Sequence, residues 1–304
     1  MLAEARFQVT GTDAHLIAFD PPDHWELAAR QILDELDARW SRFHADSELS
    51  RLNATGELAP ASQLTFALIE AAANAHVVTG GRFDATVLGA LLAAGYDRDF
   101  AELRERGPIA MQPARPASWA SVEIDRATGW VVLHDDVSID LGGIAKGFAA
   151  DLVANELLAL GAAAVLVDLG GDVRTTARPD GVAWKIAVDD PWSPHGVIAN
   201  VALGDGAIAT CTGMARRWAV TTERGDVFAH HLIDPATGLP AESDVIAATV
   251  VTTEAVWAAP LAKAAFIAGA GEGVAVLEEL GLGAVVLTEN GRKYETSRWR
   301  EYSR

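Results

Sequence analysis

The run Asp140-Leu141-Gly142-Gly143-Ile144-Ala145-Lys146-Gly147 carries the clearest chemical signature in this chain of 304 residues. An apolar stretch ends there, two glycines remove side-chain bulk, and a helical pattern opens with a lysine in its first turn. Backbone N–H groups at such a helix start suit a phosphate, and Lys146 adds a point charge. The same residues also read as a tight strand-to-helix turn with a solvated lysine, and the segment by itself leaves both readings open. It is not a Walker loop, because the spacing is short and Gly147 stands where a Ser or Thr would hold magnesium.

A second pair of glycines lies in Asp168-Leu169-Gly170-Gly171-Asp172. Glycines after a strand let backbone approach a flat or charged ligand, or simply close a β-turn. Neither pair fits G-x-G-x-x-G, so a dinucleotide-binding Rossmann unit is disfavoured. In Ala209-Thr210-Cys211-Thr212-Gly213, the hydroxyls of Thr210 and Thr212 could bond to phosphate or ribose. Farther on, His230-His231 leads into Asp234-Pro235-Ala236-Thr237-Gly238. Adjacent residues of a strand face opposite ways, so at most one of the two histidines enters a given site. The Asp-Pro-x-Thr-Gly run is turn chemistry in its own right. Taken singly, Ser47-Glu48-Leu49-Ser50-Arg51-Leu52-Asn53 and Gly81-Arg82-Phe83-Asp84-Ala85-Thr86 read as caps and turns.

The elements that must position these residues follow from periodicity. Two short strands, 6–10 and 15–19, flank Gly11-Thr12-Asp13 as a hairpin. Trp25, Ala28, Ile32, Leu36, Trp40 and Phe43 recur at helical steps. Further helices are expected over 64–78, 86–94, 144–160, 254–268 and 273–280, with 104–118 as a surface loop. Strands are expected at 121–124, 130–133, 164–168, 184–189, 197–203, 207–210, 217–222, 228–233, 245–252 and 284–287. Hairpins abound and strict strand–helix alternation is missing. That pattern predicts an α+β fold with mixed, mainly antiparallel sheets, and no linker divides residues 1–304, which read as a single domain.

Charge narrows the partners. With 24 Lys and Arg against 42 Asp and Glu, the net charge is −18, which excludes nucleic acid and anionic membrane as broad-surface partners. An anionic ligand needs local positive charge, and the chain has only four lysines: Lys146, Lys185, Lys263 and Lys293. Cys211 is the sole cysteine, so no internal disulfide can form. No apolar run reaches the length of a membrane span, and a cytoplasmic protein is expected.

In their order along the chain, these segments resemble the FAD:protein FMN transferase (ApbE-type) family. The likeness runs almost end to end: Gly11-Thr12, the Ser47–Asn53 run, Phe83-Asp84-x-Thr86, Asp140–Gly147, Gly170-Gly171-Asp172, the Ala-Thr pair at 209–210, and His231 to Gly238. It implies an ApbE-like fold that binds FAD, a magnesium ion at the pyrophosphate, and transfer of the FMN half of FAD to a Ser or Thr hydroxyl of an acceptor protein with release of AMP. It further implies that Gly11, Thr12, Phe83, Asp84, Asp140, Gly142, Gly143, Lys146, Gly170, Gly171, Asp172, Thr210, Thr212, His231 and Lys263 border the flavin nucleotide. His231 would take the proton of the incoming hydroxyl. The other outcomes for such a chain are a non-catalytic or metal-independent FAD binder, and a pyrophosphatase that gives FMN and AMP.

One departure from that family bears on the metal. The resemblance implies an Asp and, four residues later, a Thr as magnesium ligands on a helix near the C-terminal end. Those positions here are Ala259 and Lys263. Neither alanine nor a protonated lysine offers oxygen to a hard cation. Lys263 then stands as the replacement charge, which predicts FAD binding without magnesium. A smaller departure is Thr10, where the family often has Met.

Overall fold

The structure is a computed structural model that describes residues 1–9, 11–193, 195–222 and 225–303, so Thr10 lies outside the described residues. The chain forms two compact units. One comprises residues 1–37, 144–212 and 243–304; the other comprises 38–143 and 213–242.

The first unit is built on an eight-stranded sheet in the order Leu2–Val9, Thr12–Phe19, Ala164–Leu169, Asp172–Thr175, Gly206–Thr212, Val245–Thr252, Gly283–Thr288 and Lys293–Glu295. Every neighbouring pair is antiparallel, as the abundance of hairpins predicts. All eight residues of Val245–Thr252 are buried, so the sheet is covered on both faces. On one face Leu166, Val173, Ile208 and Val251 pack with Trp299 and with Trp184 and Val201 of the hairpin Trp184–Asp189/Val197–Leu203. The helices Ala145–Ala159, Ala255–Ala268 and Ala270–Glu279 also pack on the sheet.

Two residues of the Ala145 helix fix the Ala255 helix. A Cβ on Gly147 would fall 2.2 Å from the Ala255 carbonyl oxygen, so only glycine allows the approach. One turn later, Asp151 accepts the N–H groups of Ala255 and Val256 at 2.9 and 2.8 Å. It thereby caps a helix whose own N-cap, Glu254, makes no side-chain cap bond. Arg174 braces the cap, with Nε 3.3 Å from Asp151 and Nη1 2.6 Å from Asp205.

The second unit carries, among the described residues, the short pair Ile233–Asp234/Leu239–Pro240 and two three-stranded sheets. One orders Gly225–His230, Arg217–Thr222 and Ile109–Ala110; the other orders Glu57–Leu58, Trp130–Leu133 and Val122–Asp125. Its core joins Leu91, Tyr96 and Leu103 to Trp218, Val220 and Ile233.

Several local expectations are corrected. The Ser47–Asn53 run is a helix, Glu48–Thr55, with Ser47 Oγ accepting the Ser50 N–H at 2.9 Å and Gly56 closing it in the left-handed region. The 104–118 loop contains the strand Ile109–Ala110, which pairs in parallel with Arg217–Thr222. The 228–233 strand stops at His230, where the ring Nδ1 takes the Leu232 N–H at 3.3 Å and turns the chain. In the helix Trp25–Trp40, Ala29 and Leu33 are buried in place of Ala28 and Ile32, on a line that continues through Leu36 and Trp40. No helix among the described residues is long and apolar enough to cross a membrane.

The close approach at Gly147 sets a stability test. Gly147→Ala forces the two helices apart and destabilises the protein by about 1–3 kcal/mol, read from the urea midpoint. An unchanged midpoint would show that the contact is loose.

Candidate functional site

In the first unit, Gly170 and Gly171 form the two-residue turn between Ala164–Leu169 and Asp172–Thr175, with φ of 62° and 91°. Positive φ at both positions matches the right-handed twist of the strands, which explains the glycine pair. A Cβ on Gly170 would lie 2.0 Å from Thr12 Oγ1, so Thr12, beside Gly11 at the tip of the first hairpin, packs directly on this turn. Asp168 accepts the Gly171 N–H at 2.8 Å, and burial pushes its carboxyl above the ordinary range.

Lys146 reaches the same turn. Its ammonium lies 2.9 Å from the Asp172 carboxylate and donates to the carbonyls of Leu169 at 3.2 Å and Gly170 at 3.3 Å. Three N–H groups thus meet three acceptors within the unit. The sequence suggested a charge reaching out to phosphate; the structure makes Lys146 a clasp between the helix start and the glycine turn, with the Asp172 charge cancelled.

The strand Gly206–Thr212 runs beside Asp172–Thr175 and brings in the threonines. Thr210 Oγ1 is 2.9 Å from Thr249 Oγ1, and Thr212 Oγ1 donates to the Ile246 carbonyl at 2.8 Å. Between them Cys211 is buried, and that burial pushes its thiol up to about 11. Lys263, Asp172 and Lys146 all act electrostatically on this thiol, so the two lysines share one neighbourhood.

This neighbourhood does not fit a magnesium ion held from positions 259 and 263. Ala259 is buried in a cluster with Ala209 and Ala258 and supplies no oxygen. Lys263 adds positive charge, and the Asp172 carboxylate is engaged by Lys146. Among the described residues, no group of three or more His, Cys, Asp and Glu could hold a metal.

In the second unit, the Asp140–Gly143 turn is held at four points. Asn53 grips Ile139 with both ends of its amide: Nδ2 donates to the carbonyl at 2.9 Å and Oδ1 accepts the N–H at 2.8 Å. The Asp140 N–H donates to the Ala85 carbonyl at 2.8 Å. The Asp140 Oδ1 accepts the Gly142 N–H at 2.7 Å, while Oδ2 meets Arg42 Nε at 2.9 Å. Sequence reasoning missed Arg42 and Asn53 as site residues. Asn53 stood inside a quoted motif, but nothing in a linear reading pairs Arg42 with Asp140.

Asp84 and Phe83 have structural surroundings. Phe83 is buried, and Asp84 Oδ1 accepts both the N–H and the hydroxyl of Thr86, at 2.7 and 2.6 Å. The other Asp84 oxygen lies 3.1 Å from His76, whose ring stacks on Trp119. Thr86 Oγ1 in turn accepts the Ser118 N–H at 2.8 Å. These contacts fix the segment whose Ala85 carbonyl holds Asp140. His231 is half-buried and follows directly on the strand Gly225–His230. The turn beyond it needs Gly238, where φ is 70° and a Cβ would lie 2.5 Å from the Arg115 carbonyl oxygen.

An antiparallel α+β frame with glycine turns braced by cations defines the class of protein. The chain belongs to the ApbE family, which its residues 9–286 match. It is 29% identical over 294 residues to the FAD:protein FMN transferase of Haemophilus influenzae, covering 92% of this chain and 82% of that protein. It is 30% identical over 289 residues to the protein of the same name from Vibrio cholerae, covering 90% and 82%. The crystal structure of the ApbE protein of Thermotoga maritima superposes with a TM-score of 0.88 at 26% identity, covering 100% of both chains. The flavin transferase ApbE from Vibrio cholerae has the same fold, with a TM-score of 0.82 at 24% identity and 99% of each chain covered.

The Cys211 environment is directly testable. A buried thiol held near 11 stays protonated at pH 8 and should react with a disulfide reagent far more slowly in the native protein than in urea. Equal rates in the two states would contradict the burial.

Proposed function

We propose that the protein binds FAD and transfers its FMN half to a Ser or Thr hydroxyl of an acceptor protein, releasing AMP. The observation that carries this reading is membership of the ApbE family over nearly the whole chain, with relatives named FAD:protein FMN transferase. In the reaction the acceptor oxygen bonds to the FMN-side phosphorus, and the bond from that phosphorus to the bridging oxygen breaks. The bridging oxygen leaves on AMP, and the hydroxyl proton passes to a base. His231 is our candidate for that base.

Phosphoryl transfer of this kind depends mostly on positioning and charge neutralisation. The N-terminus of the Ala145 helix supports that role, since its N-cap, Ile144, has no side-chain cap bond and two glycines precede it. Lys263 is our candidate for the charge that neutralises the diphosphate in place of a metal. A lysine amine is a monopositive donor and needs no carboxylate ligands of its own. Lys146 then serves by holding the Gly170-Gly171 turn.

Two experiments test the reading. In calorimetric titration, FAD affinity should be the same with EDTA as with magnesium, and should fall about tenfold in Lys263→Ala. Affinity that collapses in EDTA, or survives the substitution intact, would refute the role of Lys263. Incubation with FAD and a candidate acceptor should yield AMP together with labelled acceptor. AMP without label would indicate hydrolysis to FMN, and intact FAD would indicate a binder without chemistry. In the active case, His231→Ala should lower turnover by about a hundredfold or more while changing FAD affinity little. Equal losses in both would make His231 a binding residue.

A further inference from the structure

Arg42 sits in an environment that packing needs do not explain. Its guanidinium is 10% exposed and lies between two rings, 4.3 Å from the Phe43 centroid and 4.6 Å from that of Tyr96. Its Nε meets Asp140 Oδ2 at 2.9 Å. Its Nη2 is buried and has no hydrogen-bond acceptor among the described residues. A buried cation is costly, and one with an unmatched N–H is more so. The aromatic faces offset part of that cost.

The carboxylate it meets explains the expense. Asp140 is required at the turn because Oδ1 accepts the Gly142 N–H at 2.7 Å and so shapes the glycine pair. A bare carboxylate there would stand only a few residues before the start of the Ala145 helix, whose N-cap Ile144 makes no side-chain cap bond, and it would repel an anion drawn to that start. Arg42 removes the charge and leaves the hydrogen bond in place. Asn53 and the Ala85 carbonyl hold the backbone of the same turn but carry no charge, so neither can do this.

We propose that Arg42 is a positioning residue for diphosphate binding: it neutralises and orients Asp140, so that an anion can approach the helix start that follows the turn. The inference rests on the reading of the protein as an FAD-binding transferase, and it names a residue of that site outside every motif that marks the family resemblance.

The test is FAD affinity by flavin fluorescence quenching at low salt, in four proteins. Relative to the wild type, Arg42→Ala should bind FAD about tenfold or more weakly, because it leaves Asp140 unpaired. The double variant Arg42→Ala/Asp140→Asn should recover to within about threefold of the wild type, since the amide oxygen still accepts the Gly142 N–H and no charge remains. Asp140→Asn alone, with Arg42 now uncompensated, should bind at least as tightly as the wild type. A purely structural Arg42 predicts the opposite order, with the double variant no better than Arg42→Ala and Asp140→Asn weakened. Either of those results, or an Arg42→Ala affinity within about twofold of the wild type, would overturn the inference. Should Arg42→Ala fail to fold by circular dichroism, Asp140→Asn decides by itself. A wild type that binds no FAD would instead remove the functional reading on which the inference stands.

Discussion

Charge cancellation beside glycine turns is the constraint on which the rest of the structure depends. Both turns carry an aspartate that shapes or abuts the loop, and each of these carboxylates is met by a cation. Lys146 answers Asp172 and Arg42 answers Asp140, each at 2.9 Å. In a chain with a net charge of −18, each pairing offsets one carboxylate locally against an overall field of the same sign. The cations lie close to their carboxylates and are largely shielded from water, where pairing is strongest and breaking it is most disruptive.

This arrangement changes the meaning of the lysines. The glycine-flanked helix start marks Lys146 as a candidate phosphate ligand, and the family resemblance marks Lys263. The structure divides their work. Lys146 has all three donors engaged with Asp172 and two carbonyls. Lys263 stands in the neighbourhood of Cys211, and neither it nor the buried Ala259 four residues earlier offers an oxygen to a divalent ion.

Much of the fold was legible. Short runs located the hairpin of Leu2–Val9 with Thr12–Phe19 and the apolar strand Ala164–Leu169, and the abundance of tight turns pointed to antiparallel pairing, though the four-residue strand Asp172–Thr175 was missed. What escaped has identifiable causes. The helix Glu48–Thr55 is only two turns long, too short to show a period, so the run read as caps and turns and the helix itself was missed. The strand Ile109–Ala110 has two residues and exists because Arg217–Thr222 offers it an edge. The strand expected over 228–233 ends at His230, whose ring accepts the Leu232 N–H, a contact invisible to propensity. The quoted motifs held Asp140, Gly142, Gly170 and Thr12, whose spacing is local. Arg42 escaped because its partner, Asp140, is remote in sequence, and Asp151 because its cap serves another helix.

The cysteine between the two threonines has a practical side. With the chain's single thiol enclosed, the native protein presents no cysteine at its surface. A cysteine introduced at an exposed position on either unit would therefore be the single handle for a fluorophore or spin label. Distances between chosen points could then be followed in solution as a nucleotide binds, without first stripping the molecule of native thiols.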